Sequence, residues 1–104
     1  MNELILLIEE TVSALMRYDM EVYAHNAQKV VDDMMALLPE MIMYYSDPKM
    51  SDVREDALYW PGQMERMIRA LENHDRFEAV DVLYNETYPN LMELKDMLEE
   101  RGIS

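Results

Sequence analysis

Residues 20–44 read MEVYAHNAQKVVDDMMALLPEMIMY, and this stretch decides the fold. Mostly apolar residues recur in it at alternating intervals of three and four, which places them in a stripe along one face of a long α-helix. These residues are Met20, Tyr23, Ala27, Val30, Met34, Leu37, Met41 and Tyr44. No segment alternates apolar and polar residues with period two, so the sequence predicts helices and no strands.

Three further segments have the same spacing, and we expect each stripe to face the core. The stripes are Met1, Leu4, Ile8, Thr11, Leu15 and Tyr18; Val53, Ala57, Trp60, Met64, Met67 and Leu71; and Phe77, Val80, Tyr84, Thr87, Leu91, Leu94 and Leu98. The connections between them are short, so neighbouring helices should be antiparallel. The sequence therefore predicts an all-α, antiparallel four-helix bundle of two helical hairpins. Its helices are expected at about residues 2–18, 20–45, 52–73 and 76–101 of a single domain, 1–104.

Acidic residues mark the predicted helix starts. Asp19, Asp52 and Asp75 can each accept hydrogen bonds from the free N–H groups of a first turn. Gly102 can adopt the positive φ that closes a helix. Asp19 and Asp75 also belong to a faint repeat at an offset of 56 residues, together with Ala14-Leu15/Ala70-Leu71, Leu38/Leu94 and Met41/Met97. Either two similar hairpins or chance accounts for this repeat.

Three prolines lie inside the predicted helices: Pro39, Pro61 and Pro89. Each lacks a backbone donor and crowds the carbonyl four residues earlier. Because the apolar spacing continues through all three, we interpret them as kinks, with Pro61-Gly62 as the strongest signal for a break.

Charge and composition exclude several functions. The 104 residues carry a net charge of −13, with 12 Met and no Cys. A strongly acidic chain is unsuited to nucleic acid and to anionic membrane surfaces. Without Cys there are no disulfides, thiolate chemistry or Cys-ligated zinc. No apolar run approaches the roughly 20 residues of a membrane helix, and we expect a cytoplasmic protein.

The residue patterns of common active sites are missing. The only histidines, His25 and His74, are expected to face solvent, and neither follows a Glu by three residues as in a di-metal bundle. Two glycines, Gly62 and Gly102, cannot form a phosphate-binding loop. We expect no catalytic, cofactor or metal site, and hence no enzyme.

The predicted helix lengths suggest a binding groove. The first helix ends beside Leu37, so the last two turns of the second helix lack its cover. The side chains expected to contact a partner there are Met41, Tyr44, Tyr45, Val53, Trp60, Leu91 and Leu94. The alternative is that the large aromatic residues close this end of the bundle themselves.

An acidic, Met-rich bundle is suited to a protein or peptide partner, above all a basic amphipathic helix. The leading hypothesis is a chaperone-like adaptor that holds such a helix of a client protein. A second hypothesis is an obligate homodimer joined through Met and Tyr residues outside the stripes. A third is an acidic inhibitor, or nucleic-acid mimic, of a basic protein.

In size, charge and Met- and Leu-rich make-up the whole chain resembles small, acidic, all-α bacterial chaperones of flagellar and type III export systems. A second resemblance rests on Ala70-Leu71-Glu72-Asn73-His74-Asp75, Leu83-Tyr84 and Leu91-Met92-Glu93-Leu94. There the chain is similar to short bacterial helical-bundle proteins in which an acidic turn precedes a final, proline-containing helix. Both resemblances imply binding rather than catalysis, and neither assigns a functional residue.

Overall fold

The computed structural model describes residues 1–103 and is a bundle of helices without strands in that range. Its elements are α1 (Asn2–Met16), α2 (Met20–Tyr44), a 3-10 segment (Pro48–Leu58), α3 (Tyr59–Glu72), α4 (Arg76–Val80), a π segment (Asp81–Thr87) and α5 (Tyr88–Glu100). The last three elements form one continuous fourth helix. The predicted all-α four-helix bundle is confirmed.

The bundle is elongated, with principal extents of 44 × 21 × 21 Å. In residues 1–103, no helix combines the length and the apolar character needed to span a bilayer.

The three prolines have three different outcomes. α2 passes through Pro39 as a single helix, as the sequence predicts. Pro61 lies in the first turn of α3, because residues 48–58 form a 3-10 segment instead of the predicted start of the third helix. A proline is tolerated in a first turn because an N–H there has no partner within the helix. Pro89 is the second residue of α5, directly after the π segment.

The core follows most of the predicted stripes. The residues that lie on a stripe and are buried are Leu4, Ile8, Thr11, Leu15, Ala27, Val30, Met34, Met41, Trp60, Met64, Met67, Thr87, Leu91, Leu94 and Leu98. Buried Thr11 is compatible with this core because its hydroxyl donates to the Leu7 carbonyl oxygen at 2.7 Å. The spacing therefore predicts the faces that pack together correctly over most of the bundle.

Four stripe residues predicted to face the core are exposed instead. Tyr18 is 76% exposed, Met20 38%, Phe77 90% and Tyr84 45%. Met20 is the first residue of α2. Tyr18 lies in the turn after α1, where the helical phase has ended. Phe77 and Tyr84 lie before or within the π segment, where one extra residue per turn changes which side chains face inward. These four predictions are wrong.

Two of the three predicted N-caps are confirmed. The Asp19 carboxylate accepts from the Val22 N–H, and the Asp75 carboxylate accepts from the Phe77 and Glu78 N–H groups. Asp52 does not cap the third helix, since it lies within the 3-10 segment and pairs with Arg101 instead. Gly102 has a φ of +68°, as predicted.

Candidate binding surface

Most of the side chains expected to line a groove beyond the end of α1 are buried in the structure. Met41, Tyr45, Trp60, Leu91 and Leu94 are all buried in the core. The remaining two candidate contacts, Tyr44 and Val53, are partly buried and pack against that core. The burial of these side chains favours the alternative, in which large residues close this end of the bundle, and leaves a small pocket of about 220 Å³ lined by Tyr45, Trp60 and Leu94.

The 3-10 segment and an aromatic pair close this end of the bundle. Met50, which lies outside the predicted stripes, is fully buried and joins the core. The indole Nε1–H of Trp60 donates to the Tyr45 hydroxyl oxygen at 2.9 Å, which satisfies a polar atom that burial would otherwise leave unpaired. Burial raises the pKa of the Tyr45 hydroxyl. These side chains occupy the space that the missing turns of α1 leave.

An ion pair holds the 3-10 segment against α5. The two terminal nitrogens of Arg101 donate to the two carboxylate oxygens of Asp52, at 2.6 and 3.0 Å. The same guanidinium donates to the Lys49 carbonyl oxygen at 2.8 Å. The hydrogen bond from Arg101 lowers the pKa of the Asp52 carboxyl. Two parallel bonds of this kind fix orientation as well as distance.

The opposite end of the bundle carries an exposed apolar surface. There the turn between α1 and α2 meets the turn between α3 and α4, and between them lies an open cleft of about 950 Å³. Met16, Tyr18 and Phe77 line this cleft and are 63%, 76% and 90% exposed. We call these three residues and the cleft between them the turn-end surface. Single exposed apolar residues are common, but three large ones around one cleft form a candidate contact site.

Both turns at this surface have an unusual backbone. Tyr18 has a φ of +59° and His74 a φ of +55°, a region that residues with a Cβ rarely adopt. The amide of Tyr18 donates to the Leu15 carbonyl, three residues back. Gly102 closes the last helix with the same bond to Glu99 and a φ of +68°. The chain thus uses glycine at one helix end and large side chains at the equivalent positions of the turn-end surface.

The two turns are also built alike, as the faint sequence repeat suggests. His74 donates its amide to Leu71, three residues back, as Tyr18 does to Leu15. An aspartate N-cap follows each of them directly, Asp19 in one turn and Asp75 in the other. The repeat therefore matches two turns that lie side by side and together frame the cleft.

The charges around the cleft are mostly acidic. Asp75, Glu78 and Asp81 line it, and the guanidinium of Arg76 lies 5.9 Å from the ring centre of Tyr18. With the net charge of −13, this acidic rim surrounds an apolar centre. Such a surface is complementary to one that combines an apolar face with positive charges.

The sequence alone does not indicate this surface. Tyr18 and Phe77 fit the helical spacing and are predicted to be buried. The one available signal is the position of Tyr18 and His74 directly before an aspartate N-cap, where the preceding helix must end. His25 and His74 are both exposed, as predicted, and His74 lies at the cleft.

Comparisons of the chain with models of known protein families, with curated proteins and with solved structures give no match.

Proposed function

We propose that the chain is a cytoplasmic, non-enzymatic binding protein, a chaperone-like adaptor that holds a basic amphipathic helix of a client at the turn-end surface. The observation that carries the proposal is the cluster of Met16, Tyr18 and Phe77 around one cleft, each more than 60% exposed. Aromatic and Met side chains are typical anchors of such contacts, since they bury a large area or adapt their shape to a partner.

The backbone at this surface supports a role in binding. A non-glycine residue at positive φ lowers stability, and such residues are concentrated at functional sites. Tyr18 and His74 are two such residues, and both present their side chains at the same cleft. Glycine at these two positions would make the protein more stable but would add no side chain to the surface. Tyr18 and His74 instead add an aromatic ring and an imidazole.

Charge favours a basic helix over a second copy of the chain. Two copies would each bring a net charge of −13, and their acidic rims would face each other across an interface. A helix with Lys or Arg beside its apolar face would instead pair with Asp75, Glu78 and Asp81 while its apolar residues cover Phe77.

The test uses a synthetic peptide of about 18 residues with Leu on one helical face and Lys on the other. Its affinity is measured by isothermal titration calorimetry at low and moderate salt. One control peptide carries Glu in place of Lys, and a second has the same composition with Leu distributed around the helix. We expect the first peptide to bind in both salts and the two controls to bind at least about tenfold more weakly.

Variants then locate the binding site. Phe77→Ser should weaken binding by about tenfold or more, since exposed aromatic anchors dominate such contacts. The matched control is Met35→Ser, because Met35 is 58% exposed but lies about 22 Å along α2 from Met20. It should change the affinity by less than about twofold. Equal affinities for both variants would contradict the proposal.

The other hypotheses give different results. Salt-sensitive binding of both Lys peptides, with no preference for an apolar face, would favour an acidic mimic. A dimer in analytical ultracentrifugation that Phe77→Ser dissociates would assign the turn-end surface to a second copy of the chain.

A further inference from the structure

The fourth helix changes its phase between its two halves. In α5 the predicted stripe is buried at Leu91 and Leu94, and Thr87 is buried with it. The α-helical spacing, continued toward the N-terminus, places Tyr84 and then Val80 and Phe77 inside. The buried residues are instead Ala79, Val82 and Leu83, none of which is on the predicted stripe. Phe77 is consequently on the outside of the bundle.

The π segment accounts for this change of phase. The amide of Tyr88 donates to the carbonyl of Leu83, five residues back rather than four. One inserted residue turns the preceding part of a helix by about 100°. The exposure of Phe77 therefore depends on the π hydrogen-bonding pattern, in addition to its place near the start of α4.

The buried hydroxyl of Thr87 bonds with the spacing of the π pattern and also contacts α3. The hydroxyl of Thr87 donates to the Val82 carbonyl oxygen, five residues back, at 2.8 Å. It accepts from the side-chain amide of Gln63 on α3 at 2.9 Å. Thr87 is fully buried and Gln63 is 3% exposed. Thr11 shows the alternative, since its buried hydroxyl donates four residues back, as the α pattern requires.

Pro89 removes one hydrogen bond that would otherwise favour the α pattern over the π pattern. In a regular α-helix the residue at 89 would donate its N–H to the carbonyl of Asn85, but proline has no N–H. Adopting the π pattern therefore loses no hydrogen bond at that carbonyl. The bonds of Thr87 and Gln63 then distinguish the two patterns in a buried site, where an unpaired polar group is unfavourable.

We propose that Thr87 and Gln63 are positioning residues of the turn-end surface, whose hydrogen bonds hold the π pattern and so keep Phe77 in solvent. Their importance for binding rests on the function proposed above, whereas their effect on Phe77 does not.

The chain has one Phe, so incorporation of 4-fluorophenylalanine places a single fluorine label at position 77. The change of its NMR frequency between H₂O and D₂O reports the exposure of that ring. The measurement uses the free protein without any peptide, so a failure of the proposed function would not affect its outcome.

The decisive variant combines Thr87→Val with Gln63→Leu, which removes both polar groups and leaves neither unpaired. We expect its solvent-dependent frequency change to fall to less than half of the wild-type value, as Phe77 turns toward the core. Thr87→Ser retains the hydroxyl and should keep the wild-type value. An unchanged value in the double variant, with helical circular dichroism retained, would overturn the proposal.

Deletion of Asn85 is a second control. Asn85 is exposed, and its removal brings Val82 and Thr87 to α-helical spacing with the same residues buried. Phe77 should then stay exposed whether or not Thr87→Val and Gln63→Leu are present, and loss of exposure there would count against the mechanism. If the double variant is unfolded, Gln63→Leu alone should give a second, solvent-shielded fluorine signal. A single exposed signal in that variant would overturn the proposal.

Discussion

Replacing His74 by glycine tests whether the turn-end surface is maintained at a cost in stability. A residue with a Cβ at positive φ costs about 1–2 kcal/mol, and the extra freedom of glycine in the unfolded chain returns about 0.5–1 kcal/mol of this. We therefore expect His74→Gly to raise the free energy of unfolding by about 0.5–1 kcal/mol. For a domain of this length that corresponds to an increase in Tm of about 2–8 °C.

Two further substitutions make this test specific. Asn73→Gly lies one residue earlier, at a φ of −73°, and should lower the stability by about 0.5–1 kcal/mol. Gly102→Ala is the reverse experiment, since a Cβ there meets only Lys49 Nζ at 3.7 Å, an ordinary contact. It should lower the stability because of its φ of +68° alone.

Urea unfolding followed by circular dichroism at 222 nm measures all three variants against wild type. If His74→Gly were no more stable than wild type while Asn73→Gly behaved as expected, the positive φ would carry no strain. The positive φ of Tyr18 and His74 would then give no support to a binding role of the turn-end surface.

Two further predictions concern the closed end, at Trp60 and at Asp52. Trp60→Ala should lower the free energy of unfolding by about 3–5 kcal/mol, whereas Phe77→Ala should change it by less than about 0.5 kcal/mol, as thermal and urea unfolding can show. Asp52→Asn should lower the Tm at pH 7, because it removes the charge that pairs with Arg101. Arg101 lowers the pKa of the Asp52 carboxyl below its ordinary value of 3.8. The stabilisation that this ion pair gives is therefore fully present above pH 3.8 and is lost as the pH falls through the lowered pKa. The Tm values of wild type and Asp52→Asn should therefore converge in acid.

The helices and most of the core are predictable from the sequence because packing repeats with the helical period. Ile8, Met34 and Leu91 lie where the spacing places them. Asp19 and Asp75 are predictable as caps, since an aspartate before an amphipathic run has one common use. These features depend on residues within one or two turns of each other.

The way in which the 3-10 segment covers the end of the bundle is not predictable from spacing. Met50 belongs to no stripe, and its burial depends on a 3-10 segment held by Arg101, 49 residues beyond Asp52. A long-range ion pair of this kind leaves no periodic signal. The sequence does allow the prediction that Tyr45 and Trp60 close this end of the bundle, and the two side chains are hydrogen-bonded there. It does not predict the 3-10 segment, which covers the rest of that end.

The turn-end surface is missed for a related reason. A single π segment shifts the phase, and the spacing of Phe77, Val80 and Tyr84 is equally regular whether or not the helix remains α. The signal lies in Thr87 and Pro89, whose hydroxyl and missing N–H favour the π pattern only when Gln63 of another helix is in place. Local sequence does not contain that third partner.

The most direct test of the proposed function is an NMR titration of the ¹⁵N-labelled protein with the Leu/Lys peptide. We expect the largest amide shift changes at Tyr18, His74 and Phe77. The amides of Met50 and Trp60 at the closed end should change little. Changes centred on Met50 and Trp60, or none above those caused by the Glu peptide, would contradict binding at the turn-end surface.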